Sequence, residues 1–117
     1  MRNIDEHKVN PANDVISITV LDEPGEGGAS HEYKVSGPGW AYHIHFQRGP
    51  IAGNGANGLT QEALIAICID RLRGFQSGEY SCRENALALT KLEEAQHWLF
   101  HRTLARMARG VEGTHEV

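Results

Sequence analysis

No glycine or proline interrupts the chain between Ser81 and Arg109, and that stretch carries the periodicity of one long helix. Ser81-Cys82-Arg83-Glu84 reads as a capping box, with Ser81 satisfying an orphan backbone N–H and Glu84 answering to Ser81. Leu89, Leu92, Ala95, Leu99 and Met107 supply an apolar stripe at helical spacing. A helix from Cys82 to Arg109 would be roughly 40 Å long at ~1.5 Å per residue, more than a small sheet covers. The uncovered part must pack against something, and a second copy of the chain is the simplest candidate. Oligomerisation follows from length.

Arg102, Arg106 and Arg109 recur at four and three residues near the end of this helix, so they fall on one side of its last turns. Guanidinium forks on a rigid rod suit a phosphorylated or carboxylated small molecule. The competing reading is a solvated last turn whose cations meet the helix dipole.

At 117 residues the chain is expected to be a single domain over 1–117, with a sheet part at 14–48 and a helical hairpin at 59–110. A formal net charge of −4 argues against a general DNA or RNA binder, whose affinity comes largely from phosphate neutralisation, but not against a locally basic pocket. Cys68 and Cys82 form no disulfide framework, and Cys68, set among isoleucines, reads as a small buried hydrophobe. No apolar run suits a signal peptide or a membrane span, so the expected location is cytoplasmic.

Residues 1–13 read as a loose polar lead-in. Strands follow where hydrophobic residues alternate: Asp14 to Leu21, His31 to Val35, and Trp40 to Gln47 with Tyr42, Ile44 and Phe46 facing the core. Gly-rich residues 49–58 read as a long mobile connection. Thr60 caps a helix that should stop at Gly74, and Phe75 to Tyr80 link it to the long helix. The class is α+β: an N-terminal antiparallel sheet followed by a long helical hairpin.

Catalytic chemistry finds little support. His43 with His45, and His97 with His101, share faces of a strand and a helix, but a closed metal site needs three or four convergent ligands and no His-Glu-x-x-His motif occurs. Neither metal nor cofactor is expected. Residues 53–58 contain Gly-x-Gly-x-x-Gly without the Lys-Ser/Thr ending of a phosphate loop, so a connector is the better reading. Glu93 and Glu94 read as surface or intersubunit partners of arginines, and Trp98 as core or interface. Phe75, Tyr80 and Asn85 add an aromatic face and an amide, a combination used to recognise bases. Asn85 and Arg102 lie about 25 Å apart on one helix, so one ligand could meet both only across two antiparallel copies.

Several blocks in order carry a resemblance: Asn57-Gly58-Leu59-Thr60, Asp70-Arg71-Leu72 with Phe75-Gln76, Arg83-Glu84-Asn85-Ala86, Leu89 through Ala95, and Arg109 through Thr114. From about Ala29 onward the chain resembles the first Thoeris anti-defence family of phage proteins, whose hairpin domain is shared with anti-CBASS cyclic-nucleotide sponges. The resemblance implies a non-enzymatic sponge in the cytoplasm of an infected bacterium, holding glycocyclic ADP-ribose away from its effector. It also implies a homodimer, with some members forming hexamers that take up cyclic trinucleotides at a separate site. By motif, Phe75 would stack on adenine, Asn85 would hydrogen-bond, Arg102 and Arg106 would hold base or pyrophosphate, and Arg48 would contribute. Thr90, Arg109 and Thr114 are the candidates for the trinucleotide site. Two rivals stay open: a hydrolase of such signals using His43, His45, His97 or His101, and a structural module whose arginines serve an oligomer interface.

Overall fold

A computed structural model describes residues 1–115. The chain divides into two compact units, residues 1–48 with 56–59, and residues 49–55 with 60–117.

The first unit is a four-stranded antiparallel meander in the order β1 (Arg2–Ile4), β2 (Ser17–Val20), β3 (Glu32–Gly37), β4 (Trp40–His45). Register places Ile18 opposite Val35, Val20 opposite Tyr33 and Tyr33 opposite Ile44, so these side chains share one face. Val20 is fully buried there, and Phe46 meets Tyr33 edge-on at 5.6 Å. The fourth strand corrects the expectation of a loose lead-in. Arg2–Ile4 is too short to show alternation, and pairing with β2 makes it a strand. Residues before Ser17 form a short helix, α1 (Pro11–Asp14), capped by the Asn10 side chain, so β2 begins later than alternation alone suggests. His7 Nε2 bonds the Ile16 carbonyl at 2.7 Å. The β3–β4 hairpin turns on Pro38-Gly39, where proline presets φ and Gly39 supplies φ 78°. Tyr42 departs from expectation: it lies on the core face by register but is exposed, packing at 5.5 Å on Trp40.

Residues 49–58 are more ordered than their glycines suggest. They carry α2 (Ile51–Asn54), and Asn57 braces the preceding segment: it accepts from Arg48 N–H and donates to Arg48 C=O, both at 2.8 Å.

The second unit is the helical hairpin, α3 (Gln61–Gln76) and α4 (Arg83–Ala108). Thr60 caps α3 through Ala63 N–H at 3.2 Å, as its position predicts. The helix then passes through Gly74 and ends at Gln76, so Phe75 is helical rather than part of the link. Ile65, Ile69, Leu72 and Gln76 turn inward at four, three and four residues. Cys68 lies off that face and is exposed, contrary to the buried-thiol reading.

On α4 the inward positions are Asn85, Leu89, Leu92, Gln96, Leu99, Thr103 and Arg106, alternating four and three residues as in a coiled-coil seam. Leu89, Leu92 and Leu99 were legible as this stripe; Ala95 and Met107 are exposed. Gln96 is buried and donates to the Glu62 carbonyl at 2.9 Å, and Arg73 pairs with Glu93 at 2.7 Å, so both ends of α3 are tied to α4. The cap differs from the expected box. Cys82 is the N-cap residue and its Sγ accepts from Asn85 N–H at 3.4 Å. Among the described residues no helix is long and apolar enough to cross a membrane.

Candidate ligand-binding site

The α3–α4 turn is a braced corner. The side-chain amide of Gln76 donates to Cys82 C=O and accepts from Cys82 N–H, each at 3.1 Å. Around that clamp sit Phe75, Tyr80 and Asn85. Phe75 and Tyr80 meet in a T arrangement at 6.5 Å. Arg71 lies with its guanidinium carbon 5.0 Å from the centre of the Phe75 ring. Such a stack holds the ring in place. Phe75 and Asn85 are half-buried, which suits groups that must be both oriented and reachable. Arg71 was missed from sequence, although its four-residue offset from Phe75 on a helix is the signal that finds it.

The far end of α4 separates the three arginines. Arg102 and Arg109 are exposed, whereas Arg106 is buried on the inward side. The Arg106 guanidinium donates to Glu112 at 3.2 Å, to Val111 C=O at 3.0 Å and to Thr114 C=O at 3.1 Å. It thereby folds the Val111–Thr114 turn back onto the helix end, where Thr114 Oγ1 also donates to Val111 C=O and Ala52 N–H donates to Gly113 C=O at 2.9 Å. Thr90 is exposed on α4.

Arg48 belongs to the sheet unit and is already paired. Its guanidinium lies 2.8 Å from Glu32 and 3.7 Å from Asp22, and Glu32 also meets His43 Nε2 at 2.8 Å. The hydrogen bond from Arg48 is the main cause that holds the Glu32 carboxyl below its usual range; partial burial opposes it and His43 adds to it. For Asp22 burial is the largest influence and raises its pKa. Bonds from the backbone N–H groups of Glu32 and His31, with the charge of Arg48, together outweigh it and leave the group lowered.

Within the second unit, then, Phe75, Tyr80 and Asn85 share one corner, and Arg102, Arg106, Arg109 and Thr114 share the other end. About 25 Å of α4 separates Asn85 from Arg102. Residues 42–103, which include this corner and most of α4, match the family model described as Acb2/Tad1, hairpin domain. The chain belongs to the Acb2/Tad1 hairpin-domain family. A relative in Bacillus phage SBSphiJ7, named Thoeris anti-defense 1, is 53% identical over 93 residues. That match covers 79% of this chain and 66% of the relative, so the chain spans slightly under two thirds of that protein. The match to the Acb2/Tad1 model runs from β4 through the α3–α4 corner to Thr103, and so takes in Phe75, Asn85 and Arg102 but stops short of Arg106 and the Val111–Thr114 turn.

Proposed function

We propose that this protein is a phage anti-defence sponge: it binds a small cyclic nucleotide immune signal, glycocyclic ADP-ribose first and cyclic trinucleotides as a second class, and withholds it without cleaving it. The observation that carries this reading is the division of α4, with a braced aromatic and amide corner at one end and guanidinium groups at the other. The ligand fits that chemistry. Phe75 offers a face for adenine, Asn85 an amide for its edge, and Arg102 a fork for pyrophosphate oxygens. Arg106 contributes at the same end from a side chain that also clamps the Val111–Thr114 turn. Arg48 is a further contributor, and Thr90, Arg109 and Thr114 remain the candidates for the trinucleotide.

Two copies with their α4 helices antiparallel would bring the corner of one to the cationic end of the other. Supporting that pairing, Phe100, Leu104 and Met107 recur at four and three residues as an exposed apolar strip. Membership in the hairpin family and the name of the phage relative support the anti-defence role. No cofactor is required, because sequestration demands slow release and no bond-making.

The test is to mix the protein with cyclic ADP-ribose isomers and cyclic trinucleotides, isolate the complex, denature it and weigh the released small molecules by mass spectrometry. Intact ligand is expected. A cleaved product would move the reading to a hydrolase, and an empty complex would move it to a structural module.

A further inference from the structure

The middle of α4 carries a feature that the sequestration reading does not use. His97 and His101 are four residues apart on one helix, both are exposed, and their ring centres lie 6.4 Å apart. Trp98 meets both rings edge-on, at 5.4 Å from His97 and 5.6 Å from His101. Neither imidazole has a hydrogen-bond partner among the described residues. Residues at this spacing stand one above the other on a helix, so two imidazoles can turn toward one cation with the backbone unmoved.

From this geometry we infer that His97 and His101 form an open two-imidazole clasp for a borderline divalent cation of the Zn2+, Ni2+ and Cu2+ class. Each ring gives one nitrogen lone pair, and water fills the remaining positions. Imidazole nitrogen favours these ions over Mg2+ and Ca2+, which take oxygen ligands. Nitrogen–metal bonds of about 2.0–2.1 Å require the rings to close from their present separation, which needs only rotation of exposed side chains. Among the described residues no group of three or more His, Cys, Asp or Glu gathers into a metal cage. Neighbouring carboxylates are drawn elsewhere: Glu94 to Lys91 at 3.6 Å and Glu93 to Arg73 at 2.7 Å. Arg102 follows His101 but is turned about 100° round the helix. The clasp is therefore an exchangeable site rather than a structural one.

Trp98 is a built-in reporter. The chain has two tryptophans, so Trp40→Phe leaves Trp98 as the sole source of indole emission. Titrating Ni2+ into that variant should quench the emission saturably, with a plateau at one equivalent. Excess Zn2+, which has a filled d shell, should restore the emission by displacement. His97→Ala or His101→Gln in the same background should weaken Ni2+ binding by at least about tenfold, since loss of an outer-shell partner alone costs that much, and the two together should abolish the plateau. Both positions are exposed on a helix, so circular dichroism should be unchanged. Quenching that rises linearly without a plateau, or a plateau that survives loss of both histidines, would overturn the assignment.

Discussion

The side chain of Gln76 bonds both backbone polar groups of Cys82, closing a ring across the α3–α4 turn with two contacts of 3.1 Å. One amide thus does what a short sheet ladder would do, and Phe75, Tyr80 and Asn85 are placed relative to one another through it. Gln76→Ala removes both bonds and should cost about 1–2 kcal/mol in urea unfolding, since each exposed neutral bond is worth about 0.5–1 kcal/mol. Gln76→Glu keeps the acceptor for Cys82 N–H but faces its carbonyl with a second oxygen, so it should be no better than alanine. If ligand affinity depends on the corner, both variants should lower it while leaving the helix content intact by circular dichroism.

Arg102 and Arg106 look equivalent in sequence and are opposite in the fold. Arg106→Ala removes the guanidinium from Glu112 and from the Val111 and Thr114 carbonyls, the first of which keeps its bonds from Thr114, and should cost about 2 kcal/mol, less than a fully buried ion pair because Glu112 is partly solvated. Arg102→Ala should change stability by no more than about 0.5 kcal/mol, the usual result at an exposed site. Under the sequestration reading it should nevertheless weaken binding of a cyclic ADP-ribose isomer by at least about tenfold, which is ~1.4 kcal/mol. Denaturant unfolding paired with titration calorimetry separates the two effects. Normal affinity in the Arg102 variant would remove it from the site.

What could be read in the residues was whatever a local pattern encodes. Alternation in Ile16-Ser17-Ile18-Thr19-Val20 marked β2, Thr60 marked the start of α3, and leucines at 89, 92 and 99 marked the hairpin seam. What escaped depends on residues meeting from afar. Arg2–Ile4 is a strand because β2 is beside it, and Arg106 is buried because the chain folds back over it after Gly110, whose φ of 74° allows the reversal. The cap moved from Ser81 to Cys82 because Gln76 holds the Cys82 backbone and the thiol can accept in place of a hydroxyl. For the candidate site, Phe75, Tyr80 and Asn85 were legible as one group because they are close in the chain; the Gln76–Cys82 bonds that brace them and the Arg71 stack on Phe75 were not.

The Asp22–Arg48–Glu32 cluster makes the sheet unit acid-sensitive. Both carboxyl groups have folded-state pKa values below their ordinary 3.8 and 4.5. A group depressed on folding binds fewer protons folded than unfolded. Its contribution is complete above the ordinary value and is lost as pH falls through the lowered one. Urea midpoints should therefore hold between pH 7 and 5 and fall steeply toward pH 3. Glu32→Gln should start lower at pH 7 and show a shallower fall. An acid slope identical to that of the unmodified protein would mean that the Glu32 pairs contribute nothing.

Two glycines should respond differently to the same added methyl group. A Cβ at Gly58 would stand 2.5 Å from the Phe46 carbonyl carbon, 2.6 Å from its oxygen and 2.7 Å from Gln47 N. These are backbone atoms of the segment whose parallel bridge joins Phe46 to Leu59, with Gln47 N–H donating to Leu59 C=O and Leu59 N–H donating to His45 C=O, both at 2.8 Å. They cannot rotate away, so Gly58→Ala should push the strands apart and cost roughly 2–3 kcal/mol, the upper range for forced overpacking. At Gly37 a Cβ would come equally close, 2.5 Å, but to the Trp40 indole, which lies across the glycine at the β3–β4 hairpin. The indole is partly exposed and can swing outward. Gly37→Ala should thus cost under about 1 kcal/mol and shift Trp40 emission to longer wavelength in a Trp98→Phe background. Equal losses at the two positions would mean that the Phe46–Leu59 bridge yields as readily as a side chain.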